Sequence, residues 1–106
     1  IIILQQNKET ILLVDDTETN IDILLNLLDG YDIAVAMDGP SALDIVSKEK
    51  IDLILLDIMM PDMDGYEVCK RLKSNPDTKD IPVIFITAKI DESSIEKAYD
   101  IGGTDY

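Results

Sequence analysis

The sequence predicts an α/β fold: a doubly wound parallel sheet in the order 2-1-3-4 with helices on both faces. Three observations lead to it. Four apolar runs are too short for helices and read as buried strands. The segments between them carry helical spacing, and strands alternating with helices require right-handed crossovers. Three of the runs end in residues able to do chemistry, Asp15-Asp16, Asp57 and Thr87-Ala88-Lys89, at the edge where open α/β sheets gather their ligands.

The first run is Ile11-Leu12-Leu13-Val14. After it, Thr17 to Asn20 offers capping side chains, and Ile21, Leu24, Leu25 and Leu28 recur at the spacing of one helix face until Asp29-Gly30 stops the helix. Ile33-Ala34-Val35-Ala36 is the second strand. Asp38-Gly39-Pro40-Ser41 turns the chain, with Pro40 in a first helical turn that tolerates it, and Ala42, Leu43, Ile45 and Val46 begin the second helix. The third strand, Asp52-Leu53-Ile54-Leu55-Leu56-Asp57, leads through the Pro61 to Gly65 turn into a helix carrying Tyr66, Cys69 and Leu72 or Val68 inward. Lys70, Arg71 and Lys73 sit near that helix's end, where its dipole favours cations, and Ser74-Asn75-Pro76-Asp77 closes it. The fourth strand, Ile81 to Ile86, feeds a helix started by Asp91 and stopped by Gly102-Gly103, with Ile95, Ala98 and Tyr99 on one face.

A chain of 106 residues suits one domain with a core of its own, expected over residues 10–106, with residues 1–9 a linker or tail. Nine basic against 22 acidic residues give a net charge of −13, which repels phosphate backbones and anionic lipid and attracts cations or basic partners. Direct nucleic-acid contact is therefore not expected of this domain. No stretch approaches the length of a membrane span. The lone Cys69 forms no internal disulfide, fits a reducing compartment such as the cytoplasm, and reads as packing. With no histidine in the sequence, the usual zinc ligand and the usual general base are missing, and phosphohistidine chemistry needs a second molecule.

With the second strand outside the first and the third on its other side, the chain reverses between Asp15-Asp16 and Asp57. Adjacent strands lie about 4.8 Å apart, so the three carboxylates and Thr87 should fall within roughly 5 to 10 Å of one another. Such crowding raises carboxylate pKa values unless a cation is present, and all-oxygen ligation with several waters suits Mg2+. Asp16 and Asp57 are the expected direct ligands. An aspartate can also serve as nucleophile and form an acyl phosphate when a metal neutralises the transferring group, and Asp57, on the central strand, is best placed for attack. The Thr87 hydroxyl and the Ala88 backbone N–H are candidate donors to a phosphoryl oxygen.

Taken together and in order, these residues resemble the receiver domain of bacterial two-component response regulators over nearly all of residues 10–106. The resemblance rests on Asp15-Asp16, on Asp57 with Met60-Pro61 and Met63-Asp64-Gly65 behind it, on Pro82 to Ala88, and on Gly102-Gly103 through Tyr106. It implies a flavodoxin-like sheet of order 2-1-3-4-5, whose fifth strand and fifth helix fall outside the 106 residues. It implies that Asp57 takes a phosphoryl group from a phosphohistidine of a histidine kinase or histidine phosphotransfer protein. It further implies that Asp16, Asp57 and the Met59 carbonyl bind Mg2+, that Asp15 helps through water, and that Thr87 and Tyr106 form a switch pair acting on a partner or output domain. Lys89 occupies a position that in relatives tunes the acyl phosphate's lifetime. The family's lysine, three positions past Tyr106, has no equivalent among the 106 residues.

Each feature alone has a plainer reading. Asp15-Asp16 would serve as a capping pair, Asp57 as a loop residue, Thr87 as a strand-end hydroxyl satisfying backbone, and Met59, Met60 and Met63 as apolar packing under the loop. An aspartate-nucleophile phosphohydrolase is a rival in the enzyme class. Enzymes resembling the haloacid dehalogenases need a second aspartate two residues after the nucleophile, where this sequence has Met59 or, after Asp15, Thr17. A receiver-like scaffold that only mediates assembly is the third reading. Without a fifth strand, the fourth would expose an apolar edge that Ile1 to Leu4 of a second copy could cover in a homodimer, whereas residues continuing past Tyr106 in the gene product would remove that motive.

Overall fold

The computed structural model describes residues 9–86. Residues 1–8 of the tail, the helix expected after the fourth strand, and Thr87, Ala88, Lys89 and Tyr106 lie outside the described residues. Seven elements follow the expected alternation: β1 (Thr10–Val14), α1 (Glu18–Leu27), β2 (Asp32–Ala36), α2 (Gly39–Lys48), β3 (Leu53–Asp57), α3 (Gly65–Ser74) and β4 (Val83–Ile86). All strand pairs are parallel and the order is β2-β1-β3-β4, as in a flavodoxin-like sheet.

Alternation along the strands sorts the core into two layers. Leu12, Val14, Ile54, Leu56, Val83 and Phe85 face α2 and α3 and meet Ala42, Val68, Cys69 and Leu72. Ile11, Leu13 and Leu55 point the other way, toward Ile21 and Leu24 of α1 and Leu28 at its C-cap. The two central strands are thus covered on both faces, which is why they read as unbroken apolar runs. Both inward alternatives on α3 are realised, since Val68 and Leu72 are buried together with Cys69. Leu25, placed on the inner face by spacing, is instead exposed on the flank of α1, as are Ile23 and Leu27. No helix among the described residues is long and apolar enough to cross a membrane.

Element ends follow local chemistry. Pro82 cannot donate to a ladder, so β4 begins at Val83, although the Pro82 carbonyl still accepts the Ile54 N–H at 3.0 Å. Asp52 leaves β3 to the apolar residues and accepts the Thr10 N–H at 2.8 Å, tying the starts of β1 and β3. Asp38 caps α2 through the Ser41 N–H (2.7 Å) and Asp64 caps α3 through the Glu67 N–H (2.9 Å), the first four N–H groups of a helix having no partner within it.

Candidate functional site: a carboxylate cluster at the strand ends

The site forms where the chain reverses between β1 and β3. Val14 pairs with Leu56, so Asp15 and Asp57 occupy the next step on adjacent strands, and Asp57 pairs in turn with Ile86 of β4. One oxygen from each of Asp15, Asp16 and Asp57 lies within 4.8 Å of the others, at the close end of the range expected from strand spacing. The three environments differ: Asp15 is buried, Asp16 exposed and Asp57 between.

Asp15 continues β1, its N–H donating to the Ala36 carbonyl at 3.1 Å. Its Oδ1 accepts the Thr17 N–H at 2.8 Å and its Oδ2 faces Asn20 Nδ2 at 3.4 Å. The plain capping reading of the aspartate pair is therefore partly realised. Thr17, at the N-cap of α1, makes no capping bond with its own side chain; its hydroxyl lies 3.5 Å from Asp16 Oδ1. Asp15 fixes the entry to α1 and belongs to the cluster at once.

Asp57 accepts the Met59 N–H through Oδ1 at 3.2 Å, which folds the loop back over the strand end. Burial, first, and then the charges of Asp15 and Asp16 push its carboxyl up to about 6, against the lowering effect of the Met59 N–H. Mutual repulsion was the expected cause, and it contributes, but loss of water at the strand end contributes more. The loop itself is held from behind. The Gly65 N–H donates to the Ile58 carbonyl at 3.0 Å, and a Cβ at Gly65 would collide with the Asp57 carbonyl oxygen and stand 2.8 Å from Ile58 Cα. The sequence marks Gly65 as the end of a turn; the structure shows it seating α3 against the backbone of Asp57. Asp62 in the same loop takes a left-handed φ of 67°, which Asp tolerates better than most residues.

Of the three loop methionines, Met60 is buried and Met63 packs against the core, as expected. Met59 is not packing: it is 68% exposed beside Asp57. The donor set is made of oxygen alone, with no histidine in the chain and Cys69 buried in the core, which fits a hard divalent cation rather than zinc or copper. Asn20 and Gly65, which touch Asp15 and Asp57, were not singled out as site residues by spacing. Asn20 could have been found only as a polar side chain one helical turn past an aspartate pair.

Known proteins share this fold. Response regulator PleD of Caulobacter vibrioides is 43% identical over 91% of the chain, which covers 22% of PleD. The chain spans only about a fifth of the length of the curated relatives it matches first. The phosphorylated cyanobacterial phytochrome response regulator RcpA superposes with a TM-score of 0.87 at 30% identity, covering 94% of this chain and 79% of that one. The Mn(2+)-bound form of response regulator Rcp1 superposes with a TM-score of 0.85 at 28% identity, covering 92% and 78%. The family described as "Response regulator receiver domain" matches residues 11–106. The carboxylate cluster therefore sits on the strand ends of a two-component signalling fold, and this chain belongs to the response regulator receiver domain family.

Proposed function

We infer that this domain is a phosphorylation-dependent switch in which Asp57 accepts a phosphoryl group from the phosphohistidine of a histidine kinase or histidine phosphotransfer protein. The observation that carries this reading is the convergence of three carboxylates within 4.8 Å, with Asp57 on the central strand. In the transfer, a bond forms between an Asp57 carboxylate oxygen and phosphorus as the phosphorus–nitrogen bond breaks, and the imidazole leaves. Asp16, Asp57 and the Met59 carbonyl would hold Mg2+, with Asp15 acting through water. When bound, Mg2+ neutralises the oxygens of the transferring group. The Mn(2+)-bound and phosphorylated states of two relatives support both halves of this reading.

The chain's own groups do the rest. The Met59 N–H orients Asp57, and partial burial limits competing water around its carboxylate. Thr87 and the Ala88 N–H would donate to the phosphoryl group, Thr87 and Tyr106 would relay the change, and Lys89 would modulate its lifetime; for these four residues the support is the sequence resemblance. The domain's chemistry is confined to its own Asp57, and its output passes to a partner or attached domain, in the cytoplasm that the lone Cys69 suits. Incubating the full gene product and the 106-residue chain with Mg2+ and a small acyl phosphate donor, followed by intact mass measurement, tests the reading. A gain of one phosphoryl group that Asp57→Asn abolishes is expected; a full gene product that gains none refutes it.

A further inference from the structure

Asp15 is the most enclosed member of the cluster, at 1% exposure, and among the described residues no lysine or arginine forms an ion pair with it. A carboxylate so placed depends on hydrogen bonds for its orientation. It has two, on separate oxygens: the Thr17 backbone N–H on Oδ1 at 2.8 Å and Asn20 Nδ2 on Oδ2 at 3.4 Å. The first is imposed by the chain's entry to α1 and would survive any side-chain change. The second belongs to a side chain in the first turn of that helix. The Asn20 amide presents its NH2 group to that oxygen. Among the described residues Asp16 and Asp57 have no side-chain amide partner; Asp16 meets the Thr17 hydroxyl at 3.5 Å and Asp57 the Met59 backbone N–H.

We propose that Asn20 is a positioning residue of the metal site: its amide holds Asp15 Oδ2 in the orientation from which Asp15 engages the hydrated cation. The proposal rests on the reading of the cluster as a Mg2+ site given above. One donor on each oxygen restricts rotation about the Asp15 side-chain bonds before the ion arrives, so less order must be created on binding. Partners of ligating carboxylates affect affinity through this kind of restraint, and their loss typically weakens metal binding about 10- to 100-fold. A long bond from an exposed side chain belongs at the lower end of that range.

Calorimetric titration of the full gene product with MgCl2 tests the proposal, using Asn20→Ala, Asn20→Gln and, as a same-turn control, Thr19→Ala. Metal-free melting temperatures of each variant are read in parallel. Asn20→Ala is expected to weaken Mg2+ binding about tenfold, Asn20→Gln to recover much of the loss by restoring an amide, and Thr19→Ala to bind like the unmodified protein. A merely helical role would show as a lower melting temperature with affinity unchanged. Equal Mg2+ affinity of Asn20→Ala and the unmodified protein, or an equal loss in Thr19→Ala, overturns the role of Asn20 alone. Absence of Mg2+ binding by the unmodified protein overturns the metal reading itself, and the proposal with it.

Discussion

Replacing Asp57 by Asn should make the metal-free domain more stable at neutral pH, although it removes the proposed acceptor. In the folded protein the Asp57 carboxyl is pushed from 3.8 up to about 6 by burial and by the charges of Asp15 and Asp16. The folded state therefore binds more protons than the unfolded state between those values, and stability falls as pH rises through that window, staying low above it. Asn does not titrate, so the advantage of the variant should grow from near zero at pH 4 to a plateau above pH 6. A shift of this size corresponds to at most about 3 kcal/mol. Asp57 is only partly buried and salt screens its neighbours, so the plateau should be nearer 1 kcal/mol, or roughly 4 °C in melting temperature for a domain of this length. Urea denaturation in chelator at pH 4.5, 6 and 7.5 measures it. Equal stabilities at pH 7.5, or an advantage that shrinks as pH rises, would refute the argument that desolvation and crowding strain this carboxylate.

Adding Mg2+ at about 100 times its Kd should stabilise the unmodified protein by about 2.7 kcal/mol, and Asp16→Asn should lose most of that gain in thermal melts. Gly65→Ala places a methyl group against the Asp57 carbonyl oxygen and Ile58 Cα, so it should cost about 1 to 3 kcal/mol in urea and slow phosphorylation by a small acyl phosphate. An unchanged Gly65→Ala on both counts would mean that α3 does not seat on β3. Leu12→Ala, on a central strand with no exposed surface, should cost about 2 to 5 kcal/mol by equilibrium denaturation, with metal-binding chemistry intact in the folded fraction.

The fold was legible because its signals are local and redundant. Runs such as Leu53 to Leu56 are unbroken because they are covered on both faces, and Asp38, Pro40 and Asp64 mark helix starts through groups the backbone itself needs. The strand-end carboxylates were legible for a related reason: a charge ending an apolar run has one place to go. What spacing could not resolve was lateral. Leu25 satisfies the helical repeat yet lies on the flank, because the sheet beneath α1 is already filled by Ile21, Leu24 and Leu28. Met59 looks like its neighbours Met60 and Met63, but the turn that ties its N–H to Asp57 leaves its side chain in solvent. The contacts of Asn20 with Asp15 and of Gly65 with Asp57 join residues whose meeting depends on helix orientation, which no period encodes. Thr87, Ala88, Lys89 and Tyr106 lie beyond the described residues, so their expected roles stand on sequence.

The carboxylate cluster is mounted on β1 and β3, the two strands with neighbours on both edges and apolar layers on both faces. Amides in such strands exchange with solvent only when the whole domain opens, whereas loops and helix ends open far more often. The strands beneath Asp57 should therefore open only with the domain as a whole. If Asp57 takes up charge as proposed, the rim would accommodate it, through the β3–α3 loop and the first turn of α1. On this reading those segments would set the timescale of a response, while the strands would set how long the fold lasts.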